Sequence, residues 1–580
     1  MAHEGKGTTK ERLSAPVKSI EWLSGMVSDC VREEVKLVER IDYNRKHFFK
    51  DKSVNPVLLA PYEEITYQSN RPAEVWREVK SRMCENHALV QCRAVSGKPK
   101  DSARAEEIGE AWNAAILLRE ENLGYSIQDG LSDGQIIDGR GVLGWWRWDQ
   151  GYPGVPEYEY CDELPDDDDG TGYRAVEVGD EPKAKGRKYM TSEASLKEKL
   201  ARSRAKYGFP YQWAVFDSRN VKFWPDELGE VGVVCHLRTL RVMDYRDGLE
   251  GDGLALDLTR DVGARVYAHE VASEGDPLWV GFDEARKRVT VCTLWTRDAW
   301  YELFTDRAVV VEADWANTTG WELVKSGRHA FGRPPFDISP ALRFNHPEPH
   351  RKWQAYLSGM LDLKPRVDFQ MALMIALATA AAQKMKFLKR DPKAVPGLAE
   401  DGGEIDLTTD ATVAKYLPPG TTLETFSDDV SQGFVSALKL AIEEYEKATP
   451  PTPAAEISTT TQPWTARLQI QVSSVLTKQG IGSQAMSFQA MVRSIMRDIQ
   501  TAPEDGGFGQ CAYVYKRGAD GREDFSQVVA IEPEDVPTLE YYVNINAISA
   551  AEQITTTEHG KGLLADGYIT REDFYENVYT

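Results

Sequence analysis

The stretch "ATPPTPAAEISTTTQPW", residues 448–464, separates two segments of helix-like apolar spacing. Each proline removes a backbone donor and clashes with the preceding turn, so this stretch neither continues a helix nor packs a core. Upstream, "SQGFVSALKLAIEEYEKA" (431–448) places Phe434, Leu438, Ile442 and Tyr445 at spacings of four, four and three, one stripe of an amphipathic helix. Downstream, "WTARLQIQVSSVLTKQ" starts a further helix. Gly480 and Gly482 are expected to break it before "SQAMSFQAMVRSIMRDIQ", where Phe488, Val492, Ile495 and Ile499 resume the helical spacing.

A second proline-rich segment, "FGRPPFDISPALRFNHPEP" (331–349), contains five prolines and is expected to cross the fold in an extended form. It opens into "HRKWQAYLSGMLDLKPRVDFQMALMIALATAAAQ" (350–383), long enough for a helix of about 50 Å at 1.5 Å per residue, which Pro365 should kink or divide. Between that helix and 431–448 lies an insert, 384–430, with basic "KMKFLKR" at one end and Gly/Asp turns in the middle.

The rest of the chain mixes the two periodicities. Leu23, Val27, Val31, Val38 and Ile41 mark a long helix in 17–47, and Ile108, Trp112 and Ile116 mark another. "DGLSDGQIIDGRGVLGWWRWD" (129–149) passes from a helical pattern through glycines into a strand. Residues 155–190 are acidic and read as an exposed loop or insertion, followed by a short charged helix, "SEASLKEKLARSRAKYG". From 211 to 330 the chain is rich in Val, Thr, Trp and Tyr between turn signals, a run of strands with mostly antiparallel connections. "CAYVYKRGADGREDFSQVVAIEP" and "LEYYVNINAIS" add strands near the end, and "EQITTTEHGKGLLADGYITREDFYENVY" reads as a closing helical segment. The fold class is α+β. At 580 residues the chain needs more than one core, and two to four subdomains are expected.

The formal charge of -22 argues against a dedicated phosphate-gripping surface, because nucleic-acid affinity comes from Lys and Arg. The N-terminus lacks a signal-peptide apolar core. The most apolar run, "MALMIALATAAA" (371–382), is shorter than the roughly 18 to 20 residues of a membrane span. Seven cysteines stand singly, with no CxxC pair, and read as reduced core residues of a protein made in a cytoplasm.

Motifs that would carry chemistry fail on context. "GRGVLG" (139–144) matches a dinucleotide fingerprint only if it opens a helix, and here it precedes the strand-like "WWRWD". With Gly172 at position six of a calcium loop, Asp167 and Asp169 fit positions one and three, but position twelve is Val178 and the bidentate ligand is missing. "SGKPK" (96–100) lacks the glycine loop and following Ser or Thr of an ATP phosphate site, so no cofactor is expected. His346 and His350 are four apart, with Pro347 and Pro349 preventing the helix that would align them as metal ligands. No catalytic residue and no metal site is assigned.

The order of parts is distinctive: an α/β body, a proline-rich crossing, a long helix, a small insert, a returning helix, a Pro/Thr loop, another long helix and more body. In that order the chain resembles the portal proteins of tailed double-stranded DNA bacteriophages, which form a ring at the unique capsid vertex. The resemblance implies an N-terminal tail (1–16), a wing (17–349, with the acidic insertion 155–190), a first stem helix (350–383) and a clip (384–430). It further implies a second stem helix (431–448), a tunnel loop (449–463), a long wing helix with the C-terminal wing (464–560) and a short crown or C-terminal segment (561–580).

By the same resemblance the protein is not an enzyme. It forms a ring of about twelve copies, nucleates procapsid assembly and conducts double-stranded DNA during packaging and ejection without sequence specificity. Its partners would be the major capsid protein and scaffold, the terminase large subunit and then the head-completion adaptor, with no membrane. It would reside in the virion after assembly in the host cytoplasm. The loop residues facing DNA would be Thr449, Pro450, Pro451, Thr452, Pro453, Glu456, Ser458, Thr459, Thr460 and Thr461. Motor and adaptor docking would fall to Lys384, Lys386, Lys389, Arg390 and Lys393 of the clip. Subunit packing in the stem would use Trp353, Tyr356, Phe434, Leu438, Ile442 and Tyr445, with Trp353 and Tyr356 alternatively lying simply in the core.

The composition agrees with a conduit. Between Thr449 and Trp464 only Glu456 is charged, so the loop offers contact without phosphate-binding cations. Twelve copies would carry 12 × -22 = -264 formal charges, and an acidic channel face repels DNA instead of trapping it. Acidity that only keeps the assembly soluble accounts equally well for the charge. The alternatives are another head–tail connector protein and a multidomain hydrolase with an acidic cation-binding loop.

Overall fold

The computed structural model describes residues 18–58, 62–84, 87–96, 98–147, 160–161, 173–177, 187–191, 193–225, 231–241, 254–259, 263–268, 288–305, 321–383, 386–390, 421–425, 432–448, 463–501, 512–517 and 523–545. These belong to two compact units. The first comprises Met1–Asp42, Glu78–Tyr356 and Ile470–Thr580, and the second Tyr43–Arg77 and Leu357–Gln469. Helix and strand are mixed throughout, as the α+β expectation requires.

The first unit is organised by helix α1 (Ile20–Phe48), whose residues up to Asp42 belong to it. Its Leu23, Val27, Cys30 and Val31 bury the stripe read in the sequence against a five-stranded antiparallel sheet. Helix α2 (Arg71–Met83), which belongs to this unit from Glu78, strand β1 (Leu89–Ala94) and helix α3 (Pro99–Leu123) follow. Ile108, Trp112 and Ile116 form the buried side of α3. Next come β2 (Arg140–Arg147), β3 (Tyr211–Phe216), β4 (Val221–Pro225), β5 (Val231–Arg241), β6 (Arg288–Trp295), β7 (Ala299–Thr305), β8 (Glu322–Arg328) and β9 (Phe336–Pro340). The large sheet has the order β8-β7-β6-β5-β4, and a three-stranded sheet has the order β9-β2-β3.

Alternation along the large sheet separates its faces. Cys235, Leu237, Cys292, Leu294, Tyr301 and Leu303 pack under α1. Their neighbours in sequence, including His236, Thr293, Trp295, Trp300 and Glu302, take the other face. The segment 139–144 is a glycine entry into β2, as its sequence context suggested: Gly139 adopts φ 93° and Arg140 begins the strand. Cys30, Cys84, Cys92, Cys235 and Cys292 are free thiols, and burial pushes Cys84 and Cys92 up to about 12.

In the second unit, helix α4 (Ser358–Gln383) and helix α5 (Gln432–Lys447) pack antiparallel: Gly359 lies beside Ala448, and Arg366 Nη1 is 3.9 Å from Glu444 Oε2. Their far ends lead into an antiparallel pair of strands, Lys386–Arg390 with Thr421–Thr425. Ala372 and Ala376 lie under Leu58, Tyr62, Ile65 and Tyr67, where the absence of larger side chains lets the segment approach the helix. Helix α6 (Pro463–Thr501) begins in this unit and continues from Ile470 as part of the first. The last described strand, β10 (Leu539–Asn544), pairs antiparallel with β1.

Three boundaries differ from the sequence expectation. The helix expected over 350–383 starts at Ser358, because Trp353–Gln354 pairs as a strand with Leu342–Arg343. Pro365 does not divide it. The missing Pro365 donor leaves the Leu361 carbonyl without its usual partner, and the Tyr43 hydroxyl lies 3.5 Å from that oxygen. Gly480 and Gly482 do not break α6, which is continuous for 39 residues, about 58 Å at 1.5 Å per residue. Gly480 answers a packing need instead. A Cβ there would lie 2.6 Å from the Tyr356 hydroxyl and 2.9 Å from Met83 Cε, and its N–H donates to that hydroxyl at 3.1 Å.

Candidate functional site

The elements the portal resemblance singles out are concentrated in the second unit. Helix α4 is apolar nearly all round, with no charge from Phe369 to Gln383. Such a helix normally lies inside a larger core. Here Phe369 is 44% exposed and Ile375 39%, and on α5 Leu440 is 55% exposed. Within the unit, Asp368 ties the structure together: it accepts from the Ser69 N–H at 2.9 Å and from the buried Lys364 ammonium one turn earlier. His47 lies near this pair. Burial and the Lys364 charge hold its pKa below the usual value.

The residues named for this function from sequence fall into three groups. Thr449, Pro450, Pro451, Thr452, Pro453, Glu456, Ser458, Thr459, Thr460 and Thr461 lie outside the described residues, as do Lys384 and Lys393. So do the acidic run 162–172 and the closing segment 546–580. Lys386, Lys389 and Arg390 stand on one strand, opposite Thr425, Thr422 and Thr421.

The stem residues divide. Phe434 and Ile442 are half-buried, whereas Leu438 and Tyr445 are covered within the chain, the latter near Ser69 and Tyr67, and so are not free to pack a neighbour. Trp353 and Tyr356 precede α4 and belong to the first unit. Trp353 packs with Leu37 and Ile41 and over the Arg140 guanidinium, and Tyr356 receives the Gly480 N–H. Both are buried in the core of the chain, the second of the two placements the sequence allowed.

The first unit holds two buried polar assemblies that sequence reasoning did not anticipate. Arg140 and Glu34, both fully buried, form a bidentate pair at 2.7 and 2.6 Å. The guanidinium also donates to the carbonyls of Ser218 (2.9 Å) and Val221 (3.0 Å), between the rings of Phe223 and Trp353. The available signal was Glu34 itself, a carboxylate on the stripe Val27, Val31, Val38, Ile41. The second assembly surrounds Gly480: the Gln135 amide reaches Ser339, Ser483 and the Gly480 carbonyl at 2.8, 2.8 and 3.1 Å, and Gln484 donates to Gln135 at 2.8 Å and Ser132 at 2.9 Å.

The outer face of the large sheet carries a cleft of about 530 Å³. Its floor has an aromatic row, Trp295 directly opposite Trp300 with ring centroids 6.1 Å apart, beside a polar row of His236, Thr293 and Glu302. Gly327 faces Trp300 across the strands, and the indole occupies the space a Cβ would need, with Nε1 2.6 Å from that position. Phe216 and Phe336 close over Gly144 in the same way. Burial holds His236 down to about 3, helped by the Arg238 charge, and His329 down to about 4, so both imidazoles are neutral near pH 7. A Trp pair flanking a four-residue hairpin turn was the sequence signal for this row.

Among the described residues no group of three or more His, Cys, Asp or Glu is placed to hold a metal ion, and no helix is long and apolar enough to cross a membrane. Compared with protein-family models and with curated proteins, the sequence matches none.

Proposed function

We propose that the chain is a portal: a ring-forming virion protein through which double-stranded DNA is packaged and ejected. The observation that carries the reading is the order of elements in the second unit. An antiparallel helix pair, α4 and α5, leads at one end into a strand pair, and at the other the chain passes through the Pro/Thr segment 449–462 into a 39-residue helix. In this reading α4 and α5 are the stem, 384–430 the clip and 449–463 the tunnel loop. Phe369, Ile375 and Leu440 supply apolar surface for neighbouring copies, since burying exposed apolar side chains is favourable by roughly 25 cal/mol per Å². ATP hydrolysis belongs to a partner motor, and this chain supplies a channel whose acidity does not grip phosphate.

The test is negative-stain electron microscopy of the purified full-length protein with native mass measurement. Rings of about twelve copies, near twelve times 65.1 kDa, with a central hole that admits a duplex, are expected. A monomer or dimer under conditions that favour assembly would refute the reading. Phe369→Glu combined with Ile375→Glu should abolish the rings while leaving the far-UV circular dichroism unchanged.

A further inference from the structure

We propose that the cleft on the outer face of the large sheet binds a nucleotide, with the base stacked on the Trp295–Trp300 row and the phosphates held by arginines at the rim. The inference is independent of the portal reading. A cavity of about 530 Å³ is in the size range of small-ligand sites and is too small for a helix or a protein domain. The ligand therefore has to be compact.

Its chemistry follows from the walls. Two adjacent indoles, tilted 38° to one another and one of them held by Gly327 opposite it, line the floor with aromatic surface against which a planar ring can stack. The charged groups of the lining are Arg147, Arg238 and Arg328 against Glu302 and Asp498, a formal excess of one positive charge in a chain of net -22. Asp498 is already committed, accepting from the Tyr211 hydroxyl at 2.8 Å and from the Ala330 N–H at 3.0 Å. Glu302 lies 3.7 Å from Arg238, leaving the exposed Arg328 as a cation at the mouth. A planar ring bearing an anion meets both requirements, and guanidinium groups match phosphate geometry. The same chemistry could come from a free mononucleotide or from one residue of a single strand.

Tryptophan fluorescence excited at 295 nm and calorimetry on the full-length protein would test this with three probes: ATP, inorganic tripolyphosphate and oligo(dT). Saturable ATP binding is expected, weakened about 5- to 150-fold by Trp300→Ala, the loss of one stacked base contact. Trp300→Phe should retain most of it, which separates stacking from misfolding, and Arg328→Ala should reduce both affinity and its salt dependence. Oligo(dT) binding without ATP binding, with the same Trp300→Ala loss, would support the site and make a single strand its source. Tripolyphosphate binding as tightly as ATP, or ATP binding unchanged in Trp300→Ala, would overturn the proposal, as would no binding of either nucleotide probe at millimolar concentration. Ring assembly is measured on separate samples, so either idea can fail alone.

Discussion

Glu34→Gln removes one charge from the centre of the first unit while conserving shape. Arg140 then keeps its carbonyl partners at 2.9 and 3.0 Å and its aromatic neighbours but loses the carboxylate that neutralises it, with neither residue exposed to water. Breaking a buried pair by removing one partner costs about 3–5 kcal/mol, against about 0–1 kcal/mol for an exposed pair. At about 2.1 cal/mol/K of unfolding entropy per residue, a unit of more than 400 residues shifts by about 1 °C per kcal/mol, so a fall in Tm on the order of 3–5 °C is expected. Calorimetry and a urea titration followed by tryptophan emission would measure it, with the midpoint shifting and the slope m unchanged. The double variant Glu34→Leu/Arg140→Met should cost less than Glu34→Gln alone, because no unpaired charge remains. A Glu34→Gln cost below about 1 kcal/mol, or a double variant equal to the sum of its singles, would refute the reasoning.

Two glycines of α6 should respond in opposite directions. Gly482→Ala meets nothing within 4 Å and should stabilise by about 0.5–1 kcal/mol through helix propensity, whereas Gly480→Val collides with Tyr356 and Met83 and should destabilise by about 1–3 kcal/mol; equal Tm shifts in urea or heat would contradict this. For pH, the neutral His329 and His236 take up protons on unfolding, where a histidine titrates near 6.5. Stability is therefore full above about pH 6.5 and falls as pH drops towards about 4, the folded value of His329. His329→Gln should flatten the stability curve across that window, and an unchanged slope would show that His329 contributes nothing to it. Deleting 450–463 should leave ring assembly intact while DNA packaging or retention in an in-vitro assay fails; normal packaging would remove the loop from the mechanism. Lys389→Glu with Arg390→Glu should weaken motor or adaptor binding measured by surface plasmon resonance, and unchanged binding would leave these residues as plain surface.

Local patterns carried a long way. The stripe from Leu23 to Ile41, the helix through Trp112, the strands of 211–330 and the glycine entry into β2 all follow from side-chain period and backbone preference, which depend only on neighbours in sequence. Places where the reading failed share a cause. Gly480 read as a helix breaker because its partner, Tyr356, is 124 residues away, and Pro365 read as a division because Tyr43, beside the Leu361 carbonyl, is 318 residues away from that carbonyl. Trp353 and Tyr356 read as helix residues although a two-residue strand pairing intervenes.

The amino-acid sequence by itself determined the mixture of helices and strands and the run of most of them, that the charge is acidic, and that 448–464 separates two helices. Tertiary structure alone decided which distant groups meet: Glu34 with Arg140 and Gln135 with Gln484 and Ser339 in the interior, and the tryptophan row with the arginines that line the cleft. Periodicity records which face of an element avoids water. The identity of the group that meets that face depends on how distant segments close against one another, and only packing in three dimensions specifies that.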